Sequence, residues 1–214
     1  MRLPFIFWVY RITGRLEPEI FRAETWCATR SVAIDIGANI GLWSYRLCRV
    51  FQKVHAFEVN VDVAADLRAY GSDQIQLNEV GLSSAEGEAT LYIPVSKGVR
   101  LNGWASFQAG NCPDTNEHVT RKVPIRTLDS FAIQDVSFIK MDVEGHELEV
   151  LRGAVKTLRA SRPVVLVEVK DTNVGAVSSF FRELDYDEIP LDDGTVLAGV
   201  ASNRLFKPRV QPSA

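Results

Sequence analysis

The chain has 214 residues, room for one domain with a full core and cramped for two. Its 46% hydrophobic and 24% charged residues are the balance of a globular protein, which excludes a disordered or fibrous chain. A formal net charge of -3 with no long Lys/Arg run argues against nucleic acid as a partner. Cys27, Cys48 and Cys112 are odd in number, widely spaced and without a C-x-x-C pair, so they read as reduced thiols in a cytoplasmic setting.

The chain divides into an N-terminal apolar or helical segment, 1–30, and a domain over 31–214. The segment Leu3-Pro-Phe-Ile-Phe-Trp-Val-Tyr10 is apolar and aromatic, with Arg2, Arg11 and Arg15 around it. It is too short to span a bilayer, and no small-residue cleavage site follows. It reads either as an interfacial anchor making weak contact with a membrane surface through residues 3–10, or as a helix packed on the domain at its active-site mouth. The packed helix is the preferred reading.

Strands and helices then alternate. Strands are predicted at 31–36, 53–58 and 75–80, with helices over 42–51 and 61–70 between them. Residues 81–87 form a turn-rich link. Short exposed strands follow at 89–93 and 119–125, separated by a Gly/Asn/Ser/Pro-rich stretch, 94–118, long enough to read as a lid or substrate loop. Alternation resumes with a strand at 136–143 and a helix over 147–160, whose Leu148, Leu151, Val155 and Leu158 make a sheet-facing stripe. A strand buried on both faces at 163–169 and a helix over 174–184 come next. Closing strands are expected at 187–191, 195–199 and 204–206, with a hairpin turned by Asp192-Asp193-Gly194. The fold expected is a doubly wound, mainly parallel α/β sheet with helices on both faces.

Two strand ends carry the chemistry. In Ser31-Val-Ala-Ile-Asp-Ile-Gly-Ala-Asn-Ile-Gly41 an apolar strand ends in Asp35 and enters a glycine-bearing turn; the next strand ends in Glu58. Open α/β sheets bind nucleosides beyond the carboxyl ends of their strands. Here the pattern is Gly37-x-Asn39-x-Gly41, and Asn39 stands where dinucleotide folds keep the glycine that admits a pyrophosphate. A cofactor with ribose hydroxyls and no phosphates fits better, and S-adenosylmethionine is the common one. The second constellation is Phe138-Ile-Lys-Met-Asp-Val-Glu-Gly-His-Glu147. Lys140 and Asp142 share a strand face, and a buried Lys needs a partner, for which Asp142 or Glu168 is available. Asp142, Glu144 and His146 gather beside the crevice, and Asp142 or His146 is the candidate general base. Asp142, Glu168, Asp171 and Asn173 are also hard oxygen ligands at neighbouring strand ends, suitable for Mg²⁺ or Ca²⁺.

Five motifs in order resemble those of FkbM-type methyltransferases: Asp35-Ile-Gly-Ala-Asn-Ile-Gly41, Ala56-Phe-Glu58, Asn78-Glu-Val-Gly-Leu-Ser83, Thr127-Leu-Asp129, and the run from Ile139 to Gly153. The resemblance implies a class I (Rossmann-like) S-adenosylmethionine fold and O-methylation of a sugar hydroxyl or of a small natural product. It puts the methionine end of the cofactor against Gly37, Ala38 and Gly41, with Asp35 and Asn39 in the same turn. Glu58 and Val59 meet the ribose, Glu79 to Leu82 (Gly81 among them) flank the adenine, and Asp142 faces the reacting methyl group. Glu58-Val59-Asn60 departs from the family's Glu-Pro-Asn, and the segment before Val32 is too short for an extra substrate domain. Asn102, Trp104 and Ser106 in the 94–118 loop, with Trp43, are the candidate contacts to a sugar-containing or small-molecule acceptor. A nicotinamide oxidoreductase is disfavoured by Asn39. A non-catalytic binding module is disfavoured by the acidic cluster at 142–147.

Overall fold

Seven strands hydrogen-bond into one central sheet, and their sequences explain why. The computed structural model describes residues 2–110, 112, 115–191 and 202–209. In chain order the helices are α1 (Arg2–Ile12), α2 (Ala23–Trp26), α3 (Leu42–Leu47), α4 (Ala65–Tyr70), α5 (Glu147–Arg152), α6 (Val155–Ser161) and α7 (Val174–Glu183). The strands are β1 (Val32–Ile36), β2 (Lys53–Phe57), β3 (Ile75–Asn78), β4 (Gly81–Leu82), β5 (Gly87–Ser96), β6 (Val99–Arg100), β7 (His118–Arg126), β8 (Val136–Met141), β9 (Val164–Val169), β10 (Tyr186–Ile189) and β11 (Ser202–Pro208).

The central sheet runs β10-β11-β9-β8-β1-β2-β3. Six strands run in the same direction, and β11 alone is antiparallel, lying between β10 and β9. The order reverses between β1 and β8, where an open α/β sheet splits to form a crevice. Both faces are covered: β8 is buried along its whole length, and the apolar character of β1 and β9 requires the same of them. On one face Ile34, Ile36, Ile139, Met141, Val165 and Val167 pack under α5, α6 and α7. On the other, Ala33, Phe138 and Leu166 pack under α1, α3 and α4 through Leu3, Phe7, Trp43, Leu47 and Leu67.

The structure departs from the sequence expectation in four places. The helix over 147–160 is two helices, α5 and α6, with Gly153 closing the first; only glycine fits there, since a Cβ would lie 2.1 Å from the Ser83 carbonyl oxygen. The helices over 42–51 and 61–70 are shorter at one end. The short exposed strands are longer and less exposed than their sequences suggest. β5 and β7 pair over eight residues and bury Leu91, Ile93 and Val123 against Val59, Ala105 and Phe107. Finally, the 94–118 stretch is partly regular, since β6 folds back on the end of β5. The predicted turn at 192–194 and strand at 195–199 lie outside the described residues; β10 and β11 do pair antiparallel. All three cysteines are free.

Candidate active site

Strand alternation builds the site. Ala33, Phe138 and Leu166 face the α1/α3 side, and two residues on, at the carboxyl ends of the same strands, come Asp35, Lys140 and Glu168. The face that is apolar in the middle of the sheet is therefore ionic at its rim. Asp35 and Lys140 are register partners across β1 and β8. Asp35 is 1% exposed and accepts a 2.5 Å hydrogen bond from the Ser44 hydroxyl of α3. Burial pushes its carboxyl up to about 6 against the pull of Ser44 and Lys140.

Lys140 is also 1% exposed. Its Nζ donates to Asn203 Oδ1 at 3.1 Å and lies 3.7 Å from Glu17 and 3.9 Å from Glu168, over the Trp43 ring. Burial alone would lower its pKa; Glu17, Asp142, Glu168 and Asp35 together carry it above its usual value. Glu168 answers the need for a partner read from the sequence. Glu17 and Asn203 were missed, because nothing local marks them: they come from distant stretches of the chain and bond each other at 3.0 Å. A buried ammonium with three donors calls for more than one acceptor, and that was the available signal.

The turn after β1 holds the second half of the site. Gly37 has φ +77, and a Cβ on it would fall 1.8 Å from the Asp142 carbonyl oxygen, so β1 and β8 can meet only through glycine. Gly37 and Ala38 both donate to the Phe57 carbonyl, at 2.9 and 3.0 Å, which lays the turn across the end of β2. Glu58 follows at that end. It is 9% exposed and accepts from the Asn39 amide at 2.8 Å and the Asn60 amide at 2.7 Å, one on each oxygen. Burial pushes it up to about 7 against those two donors. Each oxygen keeps a lone pair for another donor.

Two adjoining cavities result. One is bordered by Gly37, Asn39, Glu58, Val59, Gly81 and Leu82, and by Asn102, Ala105, Ser106 and Phe107 from the loop after β6. The other, of about 420 Å³, is bordered by Tyr10, Glu17, Asp35, Ala38, Trp43 and Lys140. Gly37, Asn39, Gly103 and Asp142 belong to both. Asp142 thus stands where the cavity holding Glu58 and Gly81 meets the one holding Asp35, Ala38 and Lys140, and the residues given to the cofactor are divided between the two. The first cavity encloses about 70 Å³, far below the ~300 Å³ at which small-molecule pockets begin. It is closed by its loop: Asn60 donates to Asn102 Oδ1 at 3.2 Å, Ser106 to the Glu144 carbonyl at 2.8 Å, and Gln108 to the Gly145 carbonyl at 2.9 Å.

Residues 35–188 match the Methyltransferase FkbM domain. The chain belongs to the FkbM methyltransferase family. No curated protein matches it. An FkbM methyltransferase from Methylobacillus flagellatus KT superposes with TM-score 0.58 at 19% identity, covering 82% of this chain and 44% of that one. The chain thus spans less than half the length of that protein. A Streptococcus mutans structure assigned as a methyltransferase and solved in complex with SAH, S-adenosylhomocysteine, superposes at 0.51 with 14% identity, covering 88% and 95%. An rRNA methylase from Streptococcus thermophilus gives 0.51 at 12% identity, covering 89% and 93%. The fold is that of the class I methyltransferases.

Within this FkbM domain His146, Glu79, Trp104 and Gly41 lie away from the two cavities. His146 starts α5, and its Nε2 lies 3.0 Å from the Ser83 hydroxyl with Phe107 edge-on to the ring. Burial lowers its pKa. Glu79 is on the surface in an ion pair with Arg68. Trp104 is 40% exposed and borders a separate small hollow with Tyr92 and His118. Gly41, with φ +95, begins α3 behind the turn. Glu144 borders the first cavity with its backbone at φ +50 and its carboxylate 3.6 Å from Lys170. Among the described residues no group of three or more His, Cys, Asp or Glu is placed to hold a metal ion. Of the oxygen ligands proposed for one, Glu168 is gathered on Lys140, and Asn173 Nδ2 donates to Glu147 at 2.7 Å.

Proposed function

We propose that this FkbM domain is an S-adenosylmethionine-dependent O-methyltransferase whose acceptor is a sugar hydroxyl. One observation carries the reading: a Glu58-lined crevice and a polar, aromatic second cavity meet at Asp142. Glu58 stands ready to accept ribose hydroxyls, and the Gly37 turn lets the backbone approach a ligand closely. When bound, S-adenosylmethionine supplies an activated methyl group on its sulfonium.

The second cavity suits a polyhydroxylated ring. Trp43 and Tyr10 line its wall, Glu17 and Asp35 can accept hydrogen bonds, and buried Trp43 Nε1 has no partner among the described residues. Asp142 is the group best placed to take the acceptor's proton, since His146 borders neither cavity. Burial raises the Asp142 carboxyl while Lys140 holds it down, which moves it toward the pH at which a base works best. The 101–108 loop covers the crevice and keeps water out.

The test is calorimetric titration with SAH, followed by methyl transfer from labelled S-adenosylmethionine to a panel of glycosides and of sugar-free alcohols. Micromolar SAH binding that Glu58→Ala removes, with label on glycosides, is the expected result. Absence of SAH binding refutes the cofactor. Label on sugar-free alcohols alone refutes the sugar and leaves a small natural product as acceptor.

A further inference from the structure

Helix α1 has more apolar surface than the domain covers. Leu3 and Phe7 are buried in the core, whereas Phe5, Trp8 and Ile12 form a stripe along the opposite side and are 63%, 55% and 60% exposed. Apolar residues all round a helix normally mean burial on every side. One side of α1 is left uncovered.

The charges around the stripe say what covers it. Residues 1–16 hold Arg2, Arg11 and Arg15 and no Asp or Glu, in a chain whose acidic residues outnumber its basic ones 27 to 24. All three arginines are exposed, Arg11 leaning over the Phe21 ring and Arg15 over Tyr10. Beside the stripe a hollow of about 430 Å³ is bordered by Trp8, Phe21 and Tyr45 and by Arg11, Arg46 and Arg49. A second copy of the chain docking here would set arginines against arginines. Arg2 pairs with Asp66 and Arg46 with Glu24 within the chain; a surface of lipid phosphates sets negative charge against Arg11 and Arg15 and supplies an apolar layer beneath it.

We infer that α1 docks the protein on an anionic membrane surface, with Phe5, Trp8 and Ile12 at the headgroup–acyl boundary and Arg11 and Arg15 among the phosphates. No helix among the described residues is long and apolar enough to cross a membrane, so the contact is peripheral. The same helix supplies Tyr10 to the second cavity from its core-facing side, so docking holds that cavity one helix width, ~10 Å, behind the headgroups and favours an acceptor carried on lipid. That consequence rests on the methyltransferase reading; the docking itself does not.

The experiment is co-sedimentation of the full chain with vesicles of phosphatidylcholine alone and of phosphatidylcholine containing phosphatidylglycerol. Binding to the anionic vesicles is expected to be at least about tenfold the stronger. Combined Phe5→Ser, Trp8→Ser and Ile12→Ser should abolish it, and combined Arg11→Gln and Arg15→Gln should remove the preference for phosphatidylglycerol. Both variants should keep the wild-type melting curve and SAH affinity. No sedimentation with either vesicle, or sedimentation that the triple variant retains, overturns the inference. A dimer in analytical ultracentrifugation that the triple variant dissolves overturns it in favour of a second copy. Loss of SAH binding in the wild type with vesicle binding intact would sink the methyltransferase reading alone.

Discussion

If Glu58 receives the ribose hydroxyls, cofactor affinity must depend on its charge. Burial holds this carboxyl at about 7 in the free protein, above its ordinary 4.5. Two new hydroxyl donors stabilise only the ionised form, so binding expels the proton that Glu58 carries below that point. About one unit below the pKa roughly a tenth of the sites are ionised, and SAH should bind about tenfold more weakly than at alkaline pH, a cost of about 1.4 kcal/mol. Titration calorimetry across this range, in buffers of different ionisation enthalpy, reads both the affinity and the proton released. Glu58→Gln should bind weakly with a flat profile. Asp35 at about 6 and Glu168 at about 7 titrate nearby, so the difference between wild type and Glu58→Gln is the quantity that counts. The same raised carboxyl acts on stability with the opposite sign. Its contribution is fully present below the unfolded value of 4.5 and is lost as pH rises through about 7. The free protein's melting temperature should therefore fall over that window, and SAH should offset the loss. A dissociation constant unchanged within about twofold across the range, with no proton released, would refute the ribose contact.

Gly37→Ala should destabilise the domain by roughly 3 kcal/mol or more in urea unfolding, because left-handed strain adds to a Cβ 1.8 Å from the Asp142 carbonyl. A loss under about 1 kcal/mol would mean that the β1–β8 contact gives way easily. Lys140→Met should cost roughly 3–5 kcal/mol by leaving Glu17, Glu168 and Asp142 without their cation, and thermal melts should show a larger loss in alkali than in acid. Asp142→Asn should lower kcat by ~10²–10⁴ on whichever acceptor is turned over while SAH affinity stays within a few-fold; an equal loss in both would make Asp142 a cofactor contact. Ser106→Ala removes one bond pinning the loop over the crevice, worth roughly 1 kcal/mol. Amide exchange over 101–108 should quicken about fivefold, and the rest of the sheet should be unaffected.

The sheet was readable from the chain because its signals are local. A nearly unbroken β-branched run marked β9, a short apolar strand entering a glycine turn marked β1, and acids at strand ends marked the rim. Asp35, Gly37, Glu58 and Asp142 came together as their motifs implied. What escaped was whatever depended on distant partners. The helix expected over 147–160 ends its first part at Gly153, where Ser83, some seventy residues away, leaves no room for a Cβ. Leu91, Ile93 and Val123 alternate as surface strands do, and only the loop that folds under them makes their inner face a core. His146 had the right chemistry for a base, but the turn from β8 into α5 aims it at Ser83.

The bond between Glu17 and Asn203 closes a loop of 186 residues around one buried lysine. Contacts so far apart in sequence carry a large closure entropy and form after local ones have condensed. The bonds of Glu58 to the Asn39 and Asn60 amides, by contrast, lie within one short stretch of chain. In refolding, that corner of the crevice should therefore form early, and the second cavity should be the last part of the molecule to acquire its shape.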